Sequence, residues 1–239
     1  MTISHDLLIV NGTVVTMDEA DTVIENGAVA VSGDAIGSVG PADAVDVKSA
    51  ARIIDADGGI IMPGLVNTHT HAAMTCFRGL ADDMELMTWL NDYIFPAEAR
   101  LDHDKVYTGA LLACAEMALS GTTCFSDMYL FEGAVAEAAS HAGMRAVVGE
   151  VLYDFDSPNY GPIEKGFEYT EDLIRQWKND PLITIAVEPH SPYLCAPELL
   201  KRASAISGQY GIPMIVHVAE TRAEVETTKE RYGMTPVAH

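Results

Sequence analysis

A chain of 239 residues, 49% hydrophobic and 21% charged, has the balance of a globular protein and excludes disordered and fibrous architectures. Its 14 Lys and Arg against 35 Asp and Glu give a formal charge of −21, so the summed field repels nucleic-acid phosphates and anionic lipid surfaces. Neither a nucleic-acid nor a membrane partner is expected, and no stretch approaches the ~20 apolar residues that span a bilayer.

The opening Met1–Asp6 lacks the basic start and apolar core of a secretory signal, which points to a cytoplasmic location. Residues 7–15, 22–31 and 52–62 are short β-rich runs separated by Asn-Gly, Gly-Asp and Asp-Gly-Gly turn signals, so residues 1–60 read as a small β-structure. From about Ile60 apolar strands alternate with helical segments, the pattern of parallel βαβ units. Five strands fall at 60–68, 121–127, 144–151, 182–188 and 212–219, each followed by a helix. The segment 103–119 carries Val106, Ala110, Cys114 and Met117 on one stripe and ends at Gly121. Further helices are expected near 131–142, 163–178, 197–207 and 221–232. Five β/α units are too few to close an eight-stranded barrel yet would complete an open sheet, and periodicity leaves both open. No Gly-x-Gly-x-x-Gly follows the first strand, so a dinucleotide fingerprint is missing.

The sharpest chemical feature is His69-Thr70-His71 after the strand that begins at Ile60, because residues i and i+2 of a strand project from one face. Two neutral imidazoles suit a borderline divalent ion such as zinc, but two ligands leave a site incomplete. Pro63-Gly64-Leu65-Val66-Asn67 places the pair at the C-terminal end of a buried strand, where α/β enzymes build their sites. His217 lies in the fifth apolar run, either as a third ligand or as a satisfied core histidine. Glu220, three residues on, suits a general acid/base beside a metal, or equally the N-terminal end of the helix containing Glu224 and Glu226. His190 follows the fourth strand between Pro189 and Pro192, where loops bind substrates or simply turn. Glu98 alone reads as a solvated helix residue. His5, His103, His141 and His239 have no partner at ligand spacing, and Met74, Met84, Met87 and Trp89 read as packing residues. The four cysteines, Cys76, Cys114, Cys124 and Cys195, form no Cys-x-x-Cys pair and read as reduced and mostly buried.

Taken together, Pro63-Gly64-Leu65-Val66-Asn67-Thr68-His69-Thr70-His71 resembles the metal motif that opens the barrel of the amidohydrolase superfamily. Arg78-Gly79-Leu80-Ala81-Asp82-Asp83, Pro96-Ala97-Glu98-Ala99-Arg100, Pro189-His190-Ser191-Pro192-Tyr193 and His217-Val218-Ala219-Glu220-Thr221 are similar to its branch of 5-methylthioadenosine/S-adenosylhomocysteine deaminases. The resemblance covers essentially the whole chain. It implies a (β/α)8 TIM-type barrel, of which about five β/α units are present over 61–239, plus part of a small β-sandwich over 1–60. It implies His69, His71 and His217 as ligands to zinc, with iron the alternative, Glu220 as the proton shuttle, Glu98 as acceptor for ribose hydroxyls and His190 as a nucleoside contact. The implied reaction is deamination of 5-methylthioadenosine or S-adenosylhomocysteine by a homo-oligomer, the rivals being guanine, pterin or triazine aminohydrolases or an inactive partial barrel. Glu150 stands where many members carry an arginine, so the resemblance carries no anion contact to that position. The family's fourth metal-site histidine and its aspartate after the eighth strand match no residue here, which implies that the complete protein is longer, or completed by another chain, and that this piece alone is inactive.

Overall fold

The structure is a computed structural model that describes residues 5–44 and 50–239; Met1–Ser4, part of the segment read for a leader, lie outside these. The chain divides into two compact units, Met1–Gly64 and Leu65–His239. In the first, β1 (His5–Val15), β2 (Val23–Ser32), β3 (Ala35–Pro41), β4 (Ala50–Asp55) and β5 (Ile60–Ile61) form one sheet in the order β3-β2-β1-β4, with β5 also on β1. Alternation in β1 buries Leu8 and Val10 with Ala28 and Ala30 of β2. The run expected over 52–62 is broken by a turn at Asp57 (φ 49°) and Gly58 (φ 77°), whose amide bonds Asn11 O at 2.7 Å. β3 has no sequence signal, because its Gly, Ser and Pro content and exposure hide the strand pattern.

The expected strand 60–68 also divides: Ile60 and Ile61 pair with Thr13 and Val14, and a new strand starts at Leu65. Pro63 lies between, with no amide to continue a ladder. The second unit begins with β6 (Leu65–Thr70), a 3₁₀ turn (Ala72–Phe77), the short helix α1 (Leu86–Trp89), a π-helical turn (Leu90–Ile94) and α2 (Phe95–Glu98). There follow α3 (His103–Leu119), β7 (Thr122–Tyr129), α4 (Glu132–Ala142), β8 (Arg145–Leu152), α5 (Ile163–Trp177), β9 (Ile183–Ile185), β10 (Glu188–Pro189), α6 (Pro197–Tyr210) and α7 (Arg222–Tyr232). All the pairings in this sheet are parallel, in the order β6-β7-β8-β10 with β9 also on β8. The core lies between strands and helices, where Phe125 of β7 and Val148 of β8 meet Val106, Ala110, Cys114 and Met117 of α3 and Val135 of α4. No helix among the described residues is long and apolar enough to cross a membrane.

Among the described residues β6 pairs with β7 alone and is the outermost strand of its sheet. One expectation changes here. The run 212–219 joins the sheet only through a bridge from Met214 to Val187 and through bonds from Ile215 N to Val187 O (3.0 Å) and from His217 N to His190 O (2.8 Å). Pro189 has no amide to return a bond, so the ladder lapses. The four cysteines are free, with Cys114 and Cys195 buried, Cys124 half-buried and Cys76 exposed. Met84 and Met87 are exposed rather than packed.

Candidate metal centre

Between β6 and β7, Asn67 pairs with Phe125 and Thr70 with Asp127, three steps against two, so β6 bulges at the histidine motif. A bulge re-aims side chains at a strand end. Here the Nε2 atoms of His69 and His71 lie 3.4 Å apart, and Nε2 of His217 lies 3.3 Å from that of His69. His71 Nδ1 bonds Met128 O at 2.6 Å and His217 Nδ1 bonds His190 O at 3.2 Å. A carbonyl only accepts, so both Nδ1 atoms carry the proton and both Nε2 atoms present bare lone pairs. Burial and the neighbouring His71 hold His217 below the ordinary imidazole range, which keeps it neutral. Lone pairs facing one another at this distance call for a cation. Ligands ~2.0–2.1 Å from a tetrahedral ion sit about 3.3 Å apart, so the spacing fits a zinc-like ion. Among the described residues, these three are the one group whose ligand atoms converge this way.

The motif is gripped from below. Asp127, 1% exposed, accepts the amide of Ala72 at 2.6 Å and touches the Thr70 hydroxyl, which also lies 2.7 Å from Ser126 O. The following turn is tied to α3 by Thr75 Oγ1 on Gly109 O (2.7 Å) and by Arg78 on both oxygens of Glu116 (2.9 and 2.7 Å).

Glu220 precedes α7 without capping it. Thr221 is the N-cap and accepts the Glu224 amide at 3.1 Å, while the buried Glu224 carboxylate accepts the amides of Ala219 (3.0 Å) and Glu220 (2.7 Å). The helix-end role open to Glu220 in the sequence thus belongs to Glu224. The Glu220 carboxylate instead accepts the Tyr193 hydroxyl at 2.7 Å. The Thr221-Arg222-Ala223-Glu224 spacing is a readable capping-box signal; the Tyr193 contact has none.

His71, His217, Glu220, His190 and Glu98 line one cavity, and His69 reaches the same three-imidazole cluster from the adjoining cleft. Glu98 is half-buried, and burial pushes its carboxyl up to about 7 against a smaller opposing pull from Tyr129. Burial, with the His217 and His71 rings, pushes His190 down to about 3, and its Nδ1 is buried and unpartnered. Tyr153 and Phe155, stacked at 3.9 Å, form an aromatic wall. Glu150 does not line the cavity: it is fully buried, accepting the Glu132 amide and Asn159 Nδ2, both at 2.9 Å. Asp127, Glu132 and Glu188 are buried too, and the last two are held well above the carboxylate range by burial and by neighbouring acids. Scattered single acids of this kind give no spacing signal.

Residues 60–239 match the amidohydrolase family. The chain belongs to the amidohydrolase family. It is 59% identical over 236 residues to a 5-methylthioadenosine/S-adenosylhomocysteine deaminase of Syntrophobacter fumaroxidans, covering 98% of this chain and 54% of that protein. It is 52% identical over 230 residues to 5-methylthioadenosine/S-adenosylhomocysteine deaminase 1 of Syntrophus aciditrophicus, covering 95% and 52%. Among solved structures, it is similar to an adenosine deaminase from Xanthomonas campestris with bound zinc, at 38% identity and a TM-score of 0.92, over 98% of this chain and 54% of that one. This amidohydrolase chain therefore spans about half the length of the relatives it matches. Its β/α units are part of a TIM-type barrel, which decides between the two architectures that periodicity left open.

Proposed function

We propose that the complete protein is a metal-dependent deaminase that hydrolyses an adenine nucleoside or thionucleoside, such as 5-methylthioadenosine or S-adenosylhomocysteine, and releases ammonia. The observation that carries this reading is the set of three imidazoles whose Nε2 atoms lie 3.3 and 3.4 Å apart, in a chain 59% identical to a protein of that name. His69, His71 and His217 would hold the ion, and zinc suits neutral nitrogen donors. When bound, such an ion acts as a Lewis acid that brings the pKa of a coordinated water toward neutrality.

The remaining steps fall to side chains of the chain. Glu220, anchored through one oxygen by Tyr193, delivers a proton to the purine ring nitrogen beside C6 and so offsets the negative charge that builds as C6 becomes tetrahedral. Glu98, ionised, accepts hydrogen bonds from the ribose hydroxyls; those donors favour the charged form that burial opposes. His190, kept neutral, lines the cavity as a contact for the nucleoside. The Tyr153–Phe155 wall offers an apolar face to the rest of the ligand.

The 239-residue piece alone is proposed to be inactive, because three imidazoles form only one side of a coordination shell. The charge of −21 disfavours polyanionic partners and so supports a small-molecule substrate. The deciding experiment is a deamination panel on the full-length gene product with bound metal quantified. About one zinc per chain and ammonia release from 5-methylthioadenosine or S-adenosylhomocysteine are expected. Turnover confined to guanine, pterins or triazines, or a metal-free active protein, overturns the reading.

A further inference from the structure

The carboxylate of Glu220 is fixed from two sides by residues that have no assigned role. On the side-chain end, the Tyr193 hydroxyl donates to Oε2 at 2.7 Å, and both residues line the same cavity. On the backbone end, Glu224 takes the amides of Ala219 and Glu220 with its two oxygens at 3.0 and 2.7 Å. Ala219 lies at φ 61°, a left-handed conformation that costs a residue with a Cβ of order 1 kcal/mol, so the chain there needs something to hold it. Glu224 supplies that hold from a position that is only 5% exposed, its own amide anchored on Thr221. An ordinary capping box returns its carboxylate to the N-cap amide, whereas this one reaches back to the two residues before it.

We propose that Tyr193 and Glu224 are positioning residues for Glu220: Tyr193 fixes the direction of the carboxylate, and Glu224 locks the turn that aims it into the cavity. Left free, an exposed glutamate three bonds from its backbone samples several rotamers, and proton delivery to one ring nitrogen tolerates few of them. Tyr193 stays neutral, because burial and the adjacent Glu220 push its hydroxyl above the ordinary phenol range. It therefore remains a hydrogen-bond donor at all working pH values.

The proposal rests on the reading of Glu220 as the proton-delivering group, and its test separates the two. In the full-length gene product with 5-methylthioadenosine, Tyr193→Phe is expected to lower kcat about tenfold with KM within about twofold, since the loss falls on the chemical step. Zinc content and melting temperature are expected to stay as in the parent. Glu224→Gln, which leaves one acceptor oxygen for two amides, is expected to lower kcat by a similar factor. In a Glu220→Gln background neither change should cost anything further, because residues acting through one group are not additive. Full additivity in that background, or Tyr193→Phe with unchanged kcat, overturns the positioning role while leaving the acid–base reading in place. A Glu224→Gln protein that melts lower but keeps its kcat removes Glu224 from the proposal. If Glu220→Gln itself leaves kcat intact, the acid–base reading falls and this proposal with it.

Discussion

Asp127 Oδ1 accepts the amide proton of Ala72 at 2.6 Å while also meeting the Thr70 hydroxyl, so one buried carboxylate grips the chain immediately before and after His71. Groups that orient ligands in this indirect way typically cost 10–100-fold in metal affinity when lost. Asp127→Ala is therefore expected to weaken zinc binding by about that factor in a competitive chelator titration. Asp127→Asn keeps an acceptor oxygen and should cost less. Parental affinity in the alanine variant would show that β6 holds His71 unaided.

Glu150 gives a pH signature distinct from that of the site. Burial pushes its carboxyl up to about 7, against the opposing pull of the Glu132 amide and Asn159. A carboxyl raised in the folded state stabilises the fold fully below its unfolded pKa, near 4.5, and that stability is lost as pH rises through about 7. Chemical denaturation at pH 5 and pH 8 should show this decline, and Glu150→Gln should flatten part of it, gaining on the order of 1–3 kcal/mol at pH 8 and little at pH 5. A variant that tracks the parent at both pH values refutes this account.

Glu98 separates nucleoside from base recognition. With its carboxyl half-buried in the cavity wall, Glu98→Ala removes the proposed acceptor for ribose hydroxyls. For the full-length gene product, kcat/KM on 5-methylthioadenosine should fall about 100-fold or more, as for a lost charge-assisted pair of hydrogen bonds, with any turnover of free adenine far less affected. Equal losses on both substrates would move Glu98 out of the sugar site.

Gly109 marks a close approach that holds the turn after His71. A Cβ there would lie 2.7 Å from both Ala73 O and Cys76 Sγ, and the backbone oxygen has no rotamer to escape through. Gly109→Ala is expected to cost about 1–3 kcal/mol of stability by overpacking. Thermal denaturation checks it, and an unchanged midpoint would mean that the turn slides without penalty.

The parts of this protein legible in its sequence are those set by local pattern. The α3 stripe of Val106, Ala110, Cys114 and Met117 is buried as its spacing requires, and α4 to α7 lie close to their expected ranges. His69, His71 and His217 are found together because strand ends on one sheet share an edge. Hidden were features that depend on what a segment packs against. The split of 60–68 reflects pairing of Ile60 and Ile61 with Thr13 and Val14 of β1, a distant partner that no window of apolar residues reveals. The buried acids Asp127, Glu132, Glu150 and Glu188 look like surface charges until β7, β8 and β10 are laid side by side. The Thr221–Glu224 spacing marks Glu224 as the helix-end acid, but only hydrogen bonding shows that Glu220 meets Tyr193 at the cavity.

The two carbonyls that set the tautomers of His71 and His217, those of Met128 and His190, belong to the main chain. No change of side chain at either position can delete them. That portion of the centre is thus encoded in strand alignment rather than in residue identity: the carbonyl at 128 is present whatever side chain stands there, yet a one-residue insertion or deletion in β7 would swap the proton-accepting oxygen for an amide and silence the ring it serves.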